Sequence, residues 1–505
     1  MRKKKTKAKL TKIDYIIIAI VVCLLGVLIF SISTDKNNNA EKPTSLKDLE
    51  HGKIGVITGS TFETYVKNYM PEAKPYYYNN YADMVAGVNN NVIDGFLIEE
   101  VLANLQQRKN VNIDFLDETL YVVEAAVAIK PDQEGEELRV DFNKFLNEMK
   151  EDGTLEQLTN DWTQNSATKE PFDYKTLKGT RTIKLATSAI LEPFEFHKDG
   201  LVTGLSIDLI EKYCMDRGYA LEVEDIEFGG IVAALASGKY DMATASITPT
   251  EERKKSIKFS DIYLRNNIVM AIKGDDVTDE KSFLETIKDS LYRNFIEENR
   301  YELIIDGILT TLEITIFSAI LGTLLAFGIC IFRRSDSTLA DTICKGYVKL
   351  FQGTPIIVVL MVFFYVVFSK SKISGVVVAI IAFSLNEAAY ISEMMRSGIE
   401  SVDKGQREAA LTLGFSERQA FYNYIFPQAI SKIIPVYKGE IIALLKGTSV
   451  VGYIAVQDLT KMGDIIRSRT YEAFFPLIVI AIIYFLLSWI LARFIEILTD
   501  ALLKK

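Results

Sequence analysis

One segment of this 505-residue chain indicates its fold most clearly: Glu408-Ala409-Ala410-Leu411-Thr412-Leu413-Gly414, with Phe426-Pro427 following it. It lies within a charged segment, 396–432, between two mostly apolar segments, 373–395 and 433–455. The apolar segments are about as long as a helix that crosses a bilayer. We therefore expect the Glu408–Gly414 segment to be a polar loop between two membrane spans.

Further apolar segments extend this pattern in both directions. Segments 314–332, 350–369 and 473–492 are uncharged over roughly the width of a membrane. Together with 373–395 and 433–455, which contain charged residues, they predict five spans in the second half of the chain. A sixth span is predicted at 15–33, near the N-terminus.

Positive charge predicts the orientation of these spans. Basic residues crowd the region before the 15–33 segment, and others occur at Arg333-Arg334, in 396–432 and at Lys504-Lys505. Because cytoplasmic loops are enriched in Lys and Arg, all four regions are predicted to be cytoplasmic. We expect an uncleaved N-terminal anchor, both termini in the cytoplasm and a multi-pass protein of the plasma membrane.

About 230 residues between the anchor and the later spans contain no spanning segment, so they are predicted to be extracytoplasmic. Short apolar strands at 53–57, 95–97, 183–187 and 241–246 alternate with helical patterns, which favours α/β lobes. Apolar residues between 142 and 162 recur at helical spacing on both sides of Gly153, predicting a pair of amphipathic helices.

Composition excludes several functions. The net charge of −9 provides no basic surface for nucleic acid. The four cysteines are spread over apolar and soluble segments, and the two histidines, His51 and His197, have no ligand pattern near them, so no disulfide framework, metal site or cofactor is expected. We expect both imidazoles at the solvated surface. No Gly-x-x-x-x-Gly-Lys-Ser/Thr sequence occurs, so nucleotide chemistry is not expected of this chain.

The Glu408–Gly414 segment, with Pro427, resembles the EAA loop of ABC importer permeases. Other motifs of the polar amino acid subfamily, which has five spans, occur in order at Gln352–Pro355, Glu393–Ile399 and Lys446–Ser449. The resemblance covers nearly all of 304–498. It implies an all-α permease whose loop docks on a separate ATPase, with coupling residues Glu408, Ala409, Ala410, Gly414 and Pro427, and it implies a homodimer formed through the permease.

The extracytoplasmic part resembles two-lobe amino-acid-binding proteins. Segments 184–273 resemble the family's first lobe, carrying Pro193–Phe196 and Thr248–Lys254, and segments 46–130 resemble its second lobe. The family order is lobe 1, lobe 2, closing helices, whereas here lobe 1 comes last. We interpret this order as a circular permutation with the new ends at the hinge; two incomplete tandem domains are the alternative.

The expected fold is therefore a multidomain membrane protein with an α/β ectodomain and a helical permease. The N-terminal part is predicted to consist of a basic N-terminus and anchor (1–34), lobe 2 with the closing helices (44–163), a linker (164–180) and lobe 1 (181–275). A connector (276–302) and the permease (303–505) follow.

The resemblance also implies an amino acid site in the cleft. Arg253 would pair with the ligand carboxylate, helped by nearby donors, and Glu99 would take the ammonium group, with Glu100 as the alternative. Phe228 would cover the aliphatic part of the ligand, while Ser188 and Leu191 would contact its side chain. The remaining donors to the carboxylate are Ser246, Thr248, Ser60 and Thr61. Each assignment has a plainer alternative: a surface ion pair for Arg253, a core position for Phe228 and a solvated helix cap for Glu99.

Ionisable groups within a span usually line a path or pair with each other. The candidates here are Asn386, Glu387, Lys438 and Glu440. They are expected either to line the translocation path or to form an ion pair between their two spans.

A ligand-gated channel is the main alternative function, because two-lobe ligand domains also occur in glutamate receptors and Ser449–Tyr453 resembles a potassium filter. The context of that segment disfavours a filter, since no short pore helix between two spans precedes it. A sensor is disfavoured further, because only short segments remain for the cytoplasmic side. The preferred interpretation is an amino acid ABC importer subunit with an amino acid, an ATPase, a second copy and membrane lipid as partners.

Overall fold

A computed structural model describes residues 42–503 except 110, 117, 166–168, 276–282, 334–336 and 372. The predicted N-terminal anchor, Arg334 and the Lys504-Lys505 pair lie outside the described residues. The chain forms an α/β domain up to residue 275 and a helical region from residue 283.

Two long neighbouring strands run through the centre of the α/β domain. Strand β5 (Tyr121–Ile129) and strand β12 (Lys258–Lys273) pair antiparallel, from Lys258 opposite Ile129 to Ile268 opposite Tyr121. At one end β5 pairs with the strands of one lobe, and at the other end β12 pairs with those of the second lobe. These two strands therefore connect the lobes.

Lobe 2, the part formed by residues 46–116, has three parallel strands covered by helices. Strands β1 (Lys53–Ile57), β2 (Lys74–Tyr78) and β3 (Gly95–Glu99) alternate with helices α1 (Phe62–Tyr69), α2 (Tyr81–Asn89) and α3 (Glu100–Arg108). β1 lies between β2 and β3, β3 pairs with β12, and β4 (Ile113–Phe115) pairs with the end of β12. The buried residues of β3 and β1 make up the centre of this lobe.

Lobe 1, formed by residues 182–257, repeats this plan. Strands β6 (Thr182–Thr187), β10 (Ala220–Asp225) and β11 (Met242–Thr244) are parallel. Helices α6 (Leu205–Arg217) and α7 (Ile231–Ala236) alternate with them. A small antiparallel sheet of β7 (Ile190–Leu191), β8 (Glu195–Lys198) and β9 (Leu201–Thr203) borders the cleft. The predicted strands at 53–57, 95–97, 183–187 and 241–246 are confirmed.

The predicted pair of closing helices is confirmed as α4 (Gln133–Glu151) and α5 (Thr154–Asn165). Gly153, which separates them, has φ +79°, a conformation that L-residues with side chains rarely adopt. Phe142 and Trp162 are buried, and Phe142 packs edge-on against Tyr213 of α6 at a centroid distance of 5.1 Å. The helices following lobe 2 in sequence thus pack on lobe 1.

The chain ends of this domain meet at lobe 2. Lys42 Nζ lies 2.8 Å from Asp275 Oδ1 and 3.0 Å from Asp114 Oδ2. β12 has by then crossed from lobe 1 and paired with β4. The expectation that the ends fall at the hinge is therefore wrong, since both crossing strands are complete and the ends meet beyond them.

The helical region begins with α8 (Phe283–Leu291), followed by a π-helical turn at Tyr292–Ile296 and a 3-10 turn at Glu297–Asn299. In the part of the chain that the structure describes, three helices are long and apolar enough to cross a membrane: α9 (Tyr301–Arg333), α12 (Gly375–Glu400) and α17 (Phe474–Leu503). Of these α12 is the most buried and α17 the least. Many large apolar side chains of α9 and α17 are exposed, as expected of helices in contact with lipid.

Two further candidate spans are bent pairs. Helix α10 (Thr338–Gly353) meets α11 (Ile356–Val362) and its π-helical extension at 104°, so the predicted span 350–369 is not one straight helix. The cause is Pro355, because the residue before proline is driven out of the helical region; Thr354 has φ −113° and ψ 126°. The described residues thus contain three to five candidate spans.

The segment that follows α12 is largely helical and includes the second bent pair. It contains α13 (Lys404–Thr412), α14 (Glu417–Ala420) and then α15 (Phe426–Gly447), which continues as a 3-10 helix at Thr448–Ile454. Helix α16 (Leu459–Thr470) follows at a bend of 55°. The segment that resembles a potassium filter lies in this 3-10 helix, directly after α15.

We expect residues 44–275, expressed alone, to form a monomer that unfolds cooperatively, because both crossing strands and the closing helices are then complete. A matched fragment, 44–165, lacks the α6 surface that covers Phe142 and Trp162 and should aggregate. Size-exclusion chromatography and thermal unfolding test this, and a swapped dimer or an aggregate of 44–275 would contradict it.

Candidate functional site

A cavity lies between the two lobes, at the ends of the crossing strands. It holds about 600 Å³ of empty space, a volume that includes solvent at its open side. All nine ectodomain residues singled out from the sequence line it. Lobe 1 contributes Ser188, Leu191, Phe228, Ser246, Thr248 and Arg253, and lobe 2 contributes Ser60, Thr61 and Glu99.

Arg253 closes one end of the cavity. Its Nη1 donates to the Thr248 carbonyl oxygen and its Nη2 to the Gly59 carbonyl oxygen of the opposite lobe, both at 2.8 Å. Among the described residues it forms no ion pair, so the alternative of a surface ion pair does not fit. The guanidinium carbon lies 5.8 Å from the centre of the Phe228 ring. A half-buried guanidinium without a carboxylate partner favours an anionic ligand.

Glu99 lies on the opposite wall, at the end of β3 and the start of α3. Its carboxylate is buried and accepts a hydrogen bond of 2.6 Å from the Tyr81 hydroxyl. Burial raises the pKa of this carboxyl, and the hydrogen bond from Tyr81 opposes the shift. Glu99 is thus not a solvated cap. The neighbouring Glu100, which accepts from Asn267 Nδ2 at 2.8 Å, is not among the lining residues.

The remaining donors are short side chains at turns. Ser246 has φ +48°, and its buried hydroxyl has no hydrogen-bond partner among the described residues. Ser60 and Thr61 immediately precede α1, and the Ser60 hydroxyl donates to the Ile57 carbonyl oxygen at 2.7 Å and accepts from the Phe62 N–H at 3.3 Å. Phe228 packs against apolar residues of both main core clusters, at the floor of the cavity.

Sequence reasoning missed several lining residues. Tyr81 comes from α2 and Val123 from β5, and no motif marks either of them. Glu195 belongs to the Pro193–Phe196 motif, which was recognised without a role for its carboxylate. Glu195 Oε1 accepts from the Ser246 backbone N–H at 3.2 Å, and Oε2 is buried without a partner among the described residues.

The expectation for His51 and His197 is right for one of them. His51 is exposed and lies 2.8 Å from Glu72. His197 is buried instead, with its Nε2 3.0 Å from Asp225 Oδ2. It lies in β8, whose neighbouring residues are buried, and a buried carboxylate satisfies the imidazole.

The charged residues within the membrane region separate into two groups. Glu387 of α12 is buried, lies within the electrostatic reach of Glu440 of α15, and packs where Gly322 lets α9 approach closely. Lys438 pairs with Glu496 of α17 at 2.8 Å instead. An ion pair between the spans of Glu387 and Lys438 is therefore not what the described residues show.

The coupling residues lie on and after α13. Glu408, Ala409 and Gly414 are exposed and Ala410 is buried, while Pro427 begins α15. Gly414 has φ +89° in the turn after α13. Leu413 lies at the same turn and is 74% exposed. The rest of the chain therefore leaves most of this large apolar side chain uncovered.

Comparison with known proteins identifies the class. An α/β cleft domain followed by apolar helices defines a membrane transport protein that carries its own binding domain. Residues 304–504 match the family described as binding-protein-dependent transport system inner membrane component, and residues 183–354 match bacterial extracellular solute-binding proteins, family 3.

Two permeases illustrate the similarity. The arginine transport system permease protein of Bacillus subtilis is 34% identical over 193 residues, 37% of this chain and 87% of that protein. The octopine transport system permease protein of Rhizobium radiobacter is 32% identical over 209 residues, 39% and 85%. A crystal structure of an amino acid ABC transporter with histidines matches at 31% identity over 43% of this chain and 97% of that one, with a TM-score of 0.38. The chain belongs to the permease family of amino acid ABC transporters and has a substrate-binding domain fused to it.

Protonation of Glu195 should make the ectodomain more stable at low pH. Burial raises the pKa of its carboxyl from 4.5 to about 8, so between these values the folded state holds a proton that the unfolded state has lost. The free energy of unfolding should therefore fall as pH rises from about 4.5 to about 8. Glu195→Gln should reduce this slope without abolishing it, since burial also raises the pKa of Glu211 to about 8.

Thermal unfolding of the ectodomain transition in the full chain, measured from pH 5 to pH 8, tests this. Glu222→Gln, at an exposed position of β10, is the matched control and should keep the parent slope. An equal slope in Glu195→Gln and the parent would contradict the assignment.

Proposed function

We propose that this chain captures one extracytoplasmic amino acid between its lobes and passes it across the bacterial plasma membrane, powered by a separate ATPase. The observation that carries the proposal is the cavity itself: an arginine without a carboxylate partner on one wall and a buried glutamate on the other. A zwitterion is the ligand that satisfies both, because each of its charges needs a partner once buried.

In this proposal Arg253 pairs with the ligand carboxylate, assisted by Ser246, Thr248, Ser60 and Thr61. Glu99 takes the ammonium group and is held in place by Tyr81. Phe228 covers the aliphatic part, and Ser188 with Leu191 lies against the side chain. The names of the relatives support amino acids as the substrate class.

Arg253→Ala should abolish amino acid binding while leaving the fold intact, because the ligand carboxylate would then be buried without a cation. Calorimetry of the full chain in nanodiscs against the twenty protein amino acids measures this. Arg265→Ala is the matched control: Arg265 lies on β12, is exposed and pairs with Glu124 at 2.9 Å, so its loss should not change affinity. Retained affinity in Arg253→Ala would overturn the assignment.

We infer that the turn after α13 is where the ATPase binds, with Glu408, Ala409, Ala410, Gly414 and Pro427 as the coupling residues. The exposure of Leu413 supports a partner at this turn, because an apolar side chain so exposed is stabilised by burial in an interface. The ion pair between Arg407 and Glu417 holds α13 against α14 and makes the surface rigid.

Leu413→Asp should prevent the ATPase from co-purifying while the thermal stability of the chain is unchanged, because the side chain packs on nothing within it. Lys404→Ala, an exposed substitution at the start of the same helix, is the control and should retain the ATPase. Affinity purification from the native host provides the readout. Equal recovery of the ATPase with both variants would contradict the proposed contact.

For the membrane part, we propose that Asn386, Glu387 and Glu440 line the translocation path, with Lys438 at its edge. Because Lys438 pairs with Glu496, Glu387 and Glu440 are the acidic groups of the proposed path. We propose a homodimer through the permease, with lipid around α9 and α17, six spans including the N-terminal anchor, and both termini in the cytoplasm.

The strand order supports the proposed permutation. The closing helices precede lobe 1 in sequence but pack on it in the folded domain. The two ends of the α/β domain meet at Lys42 and Asp275. We propose the boundaries 44–163, 181–275 and 303–505 for lobe 2 with closing helices, lobe 1 and the permease.

A further inference from the structure

Lobe 1 and the permease share one apolar cluster. Ile226, Ile231, Leu235 and Tyr240 of lobe 1 belong to the same set of contacting buried residues as Phe364 and Tyr365, which follow α11. Close approaches mark this contact: a Cβ on Gly230 would lie 3.3 Å from the Tyr365 hydroxyl, and Lys239 Nζ lies 3.9 Å from the centre of the Phe364 ring. An interface that resembles a divided core is typical of a lasting association.

Helix α16 adds buried ion pairs to the same lobe. Lys461 Nζ lies 3.4 Å from Asp225 Oδ2 and 3.6 Å from Glu227 Oε1. Arg469 pairs with Glu192, and its guanidinium carbon lies 4.6 Å from the centre of the Phe196 ring. The side chains of Asp225, Lys461, Glu192 and Arg469 are each less than a tenth exposed. Lobe 1 is therefore held to the permease by apolar and ionic contacts together.

Lobe 2 contacts the permease in a different way. Arg467 of α16 pairs with Asp83 of α2, whose side chain is 34% exposed. Next to this pair, Tyr471 packs against lobe 2 with its hydroxyl buried beside the Gln106 side chain. Because the carboxylate of Asp83 is partly exposed, water reaches the Asp83–Arg467 pair more easily than the enclosed pairs of lobe 1.

The lobes are also in contact with each other around the ligand cavity. Lys109 of lobe 2 lies 2.5 Å from Glu192 of lobe 1, the same carboxylate that Arg469 binds, and Arg253 donates to Gly59. The structure is thus that of a closed cleft. Glu192 takes part in both the contact between the lobes and the contact with α16, and α16 contacts both lobes in this closed arrangement.

We propose that lobe 1 stays bound to the permease while lobe 2 alone opens and closes, and that Arg467 is the residue through which closure of lobe 2 is signalled to α16. This rests on the proposed function of the cleft as an amino acid site. Neighbours of Arg467 in α16 bind the turns just before α9, the first permease helix: Arg469 pairs with Glu298 at 2.8 Å, and Thr470 donates to Asn294 at 2.8 Å. A displacement of Arg467 is therefore transmitted to the start of α9.

Because closure and the Asp83–Arg467 pair form together, they reinforce one another by linkage. Asp83→Asn and Arg467→Gln should each weaken amino acid binding by about fivefold or more, a typical size for coupling between sites. The double variant should bind no more weakly than the singles, because both remove the same contact. Glu72→Gln, an exposed acid of lobe 2 that lies by His51, is the control and should leave affinity unchanged.

Distances within the full chain in nanodiscs test which lobe moves. One pair of spin labels reports the distance between lobe 1 and the permease (Met215→Cys with Lys370→Cys), and a second pair reports the distance between lobe 2 and the permease (Tyr69→Cys with Lys370→Cys). All labels are at exposed positions, and the four native cysteines are replaced. A mixture of the twenty protein amino acids is the probe. On its addition, the lobe 1 distance should stay constant while the lobe 2 distance shifts.

If both distances shift together, the ectodomain moves as a whole and the inference is wrong. Unchanged affinity in Asp83→Asn and Arg467→Gln would also overturn it. Failure of the proposed function is distinguishable, because the unlabelled parent would then show no stabilisation against thermal unfolding by the same mixture.

Discussion

The pairing of β5 with β12 is the interaction on which the rest of the ectodomain depends. The two strands are hydrogen bonded from Lys258 to Ile268, and each lobe continues the sheet at one end of the pair. Polar residues at strand ends, among them Glu99 after β3 and Ser188 after β6, therefore face one another across a gap. The proposed zwitterion site rests on this placement, because Arg253 and Glu99, which would bind opposite charges, lie on opposite walls.

A second constraint is that the binding domain and the permease are one polypeptide. Covalent linkage replaces an encounter between separate molecules by an intramolecular contact, so modest contacts keep the two parts together. The buried pairs of α16 with Asp225 and Glu192 are such contacts. They make the end of the permease that contacts the α/β domain a surface shaped for that domain, and they explain why a short helix so rich in basic residues is largely buried.

Much of the fold could be predicted from the sequence, because its signals are local. Span lengths, the break at Gly153 and the loop around Glu408 depend on residues close together in the chain, and Thr248 and Arg253 of the cleft belong to one motif. The bend of 350–369 was also open to prediction, since Pro355 disfavours a helical conformation at Thr354. The contacts missed were those between distant residues: Arg467 and Asp83 are 384 positions apart, and no local pattern marks Asp225 as a partner for His197 and Lys461.

Transport by a reconstituted system tests the central claim most directly, namely that one chain both captures the amino acid and carries it across the membrane. Proteoliposomes containing this chain and its co-purified ATPase should accumulate a radiolabelled amino acid bound by the ectodomain only when ATP is present on the ATPase side, without any added binding protein. Uptake that requires a separate binding protein, or an ion current evoked by the amino acid without nucleotide, would contradict the account.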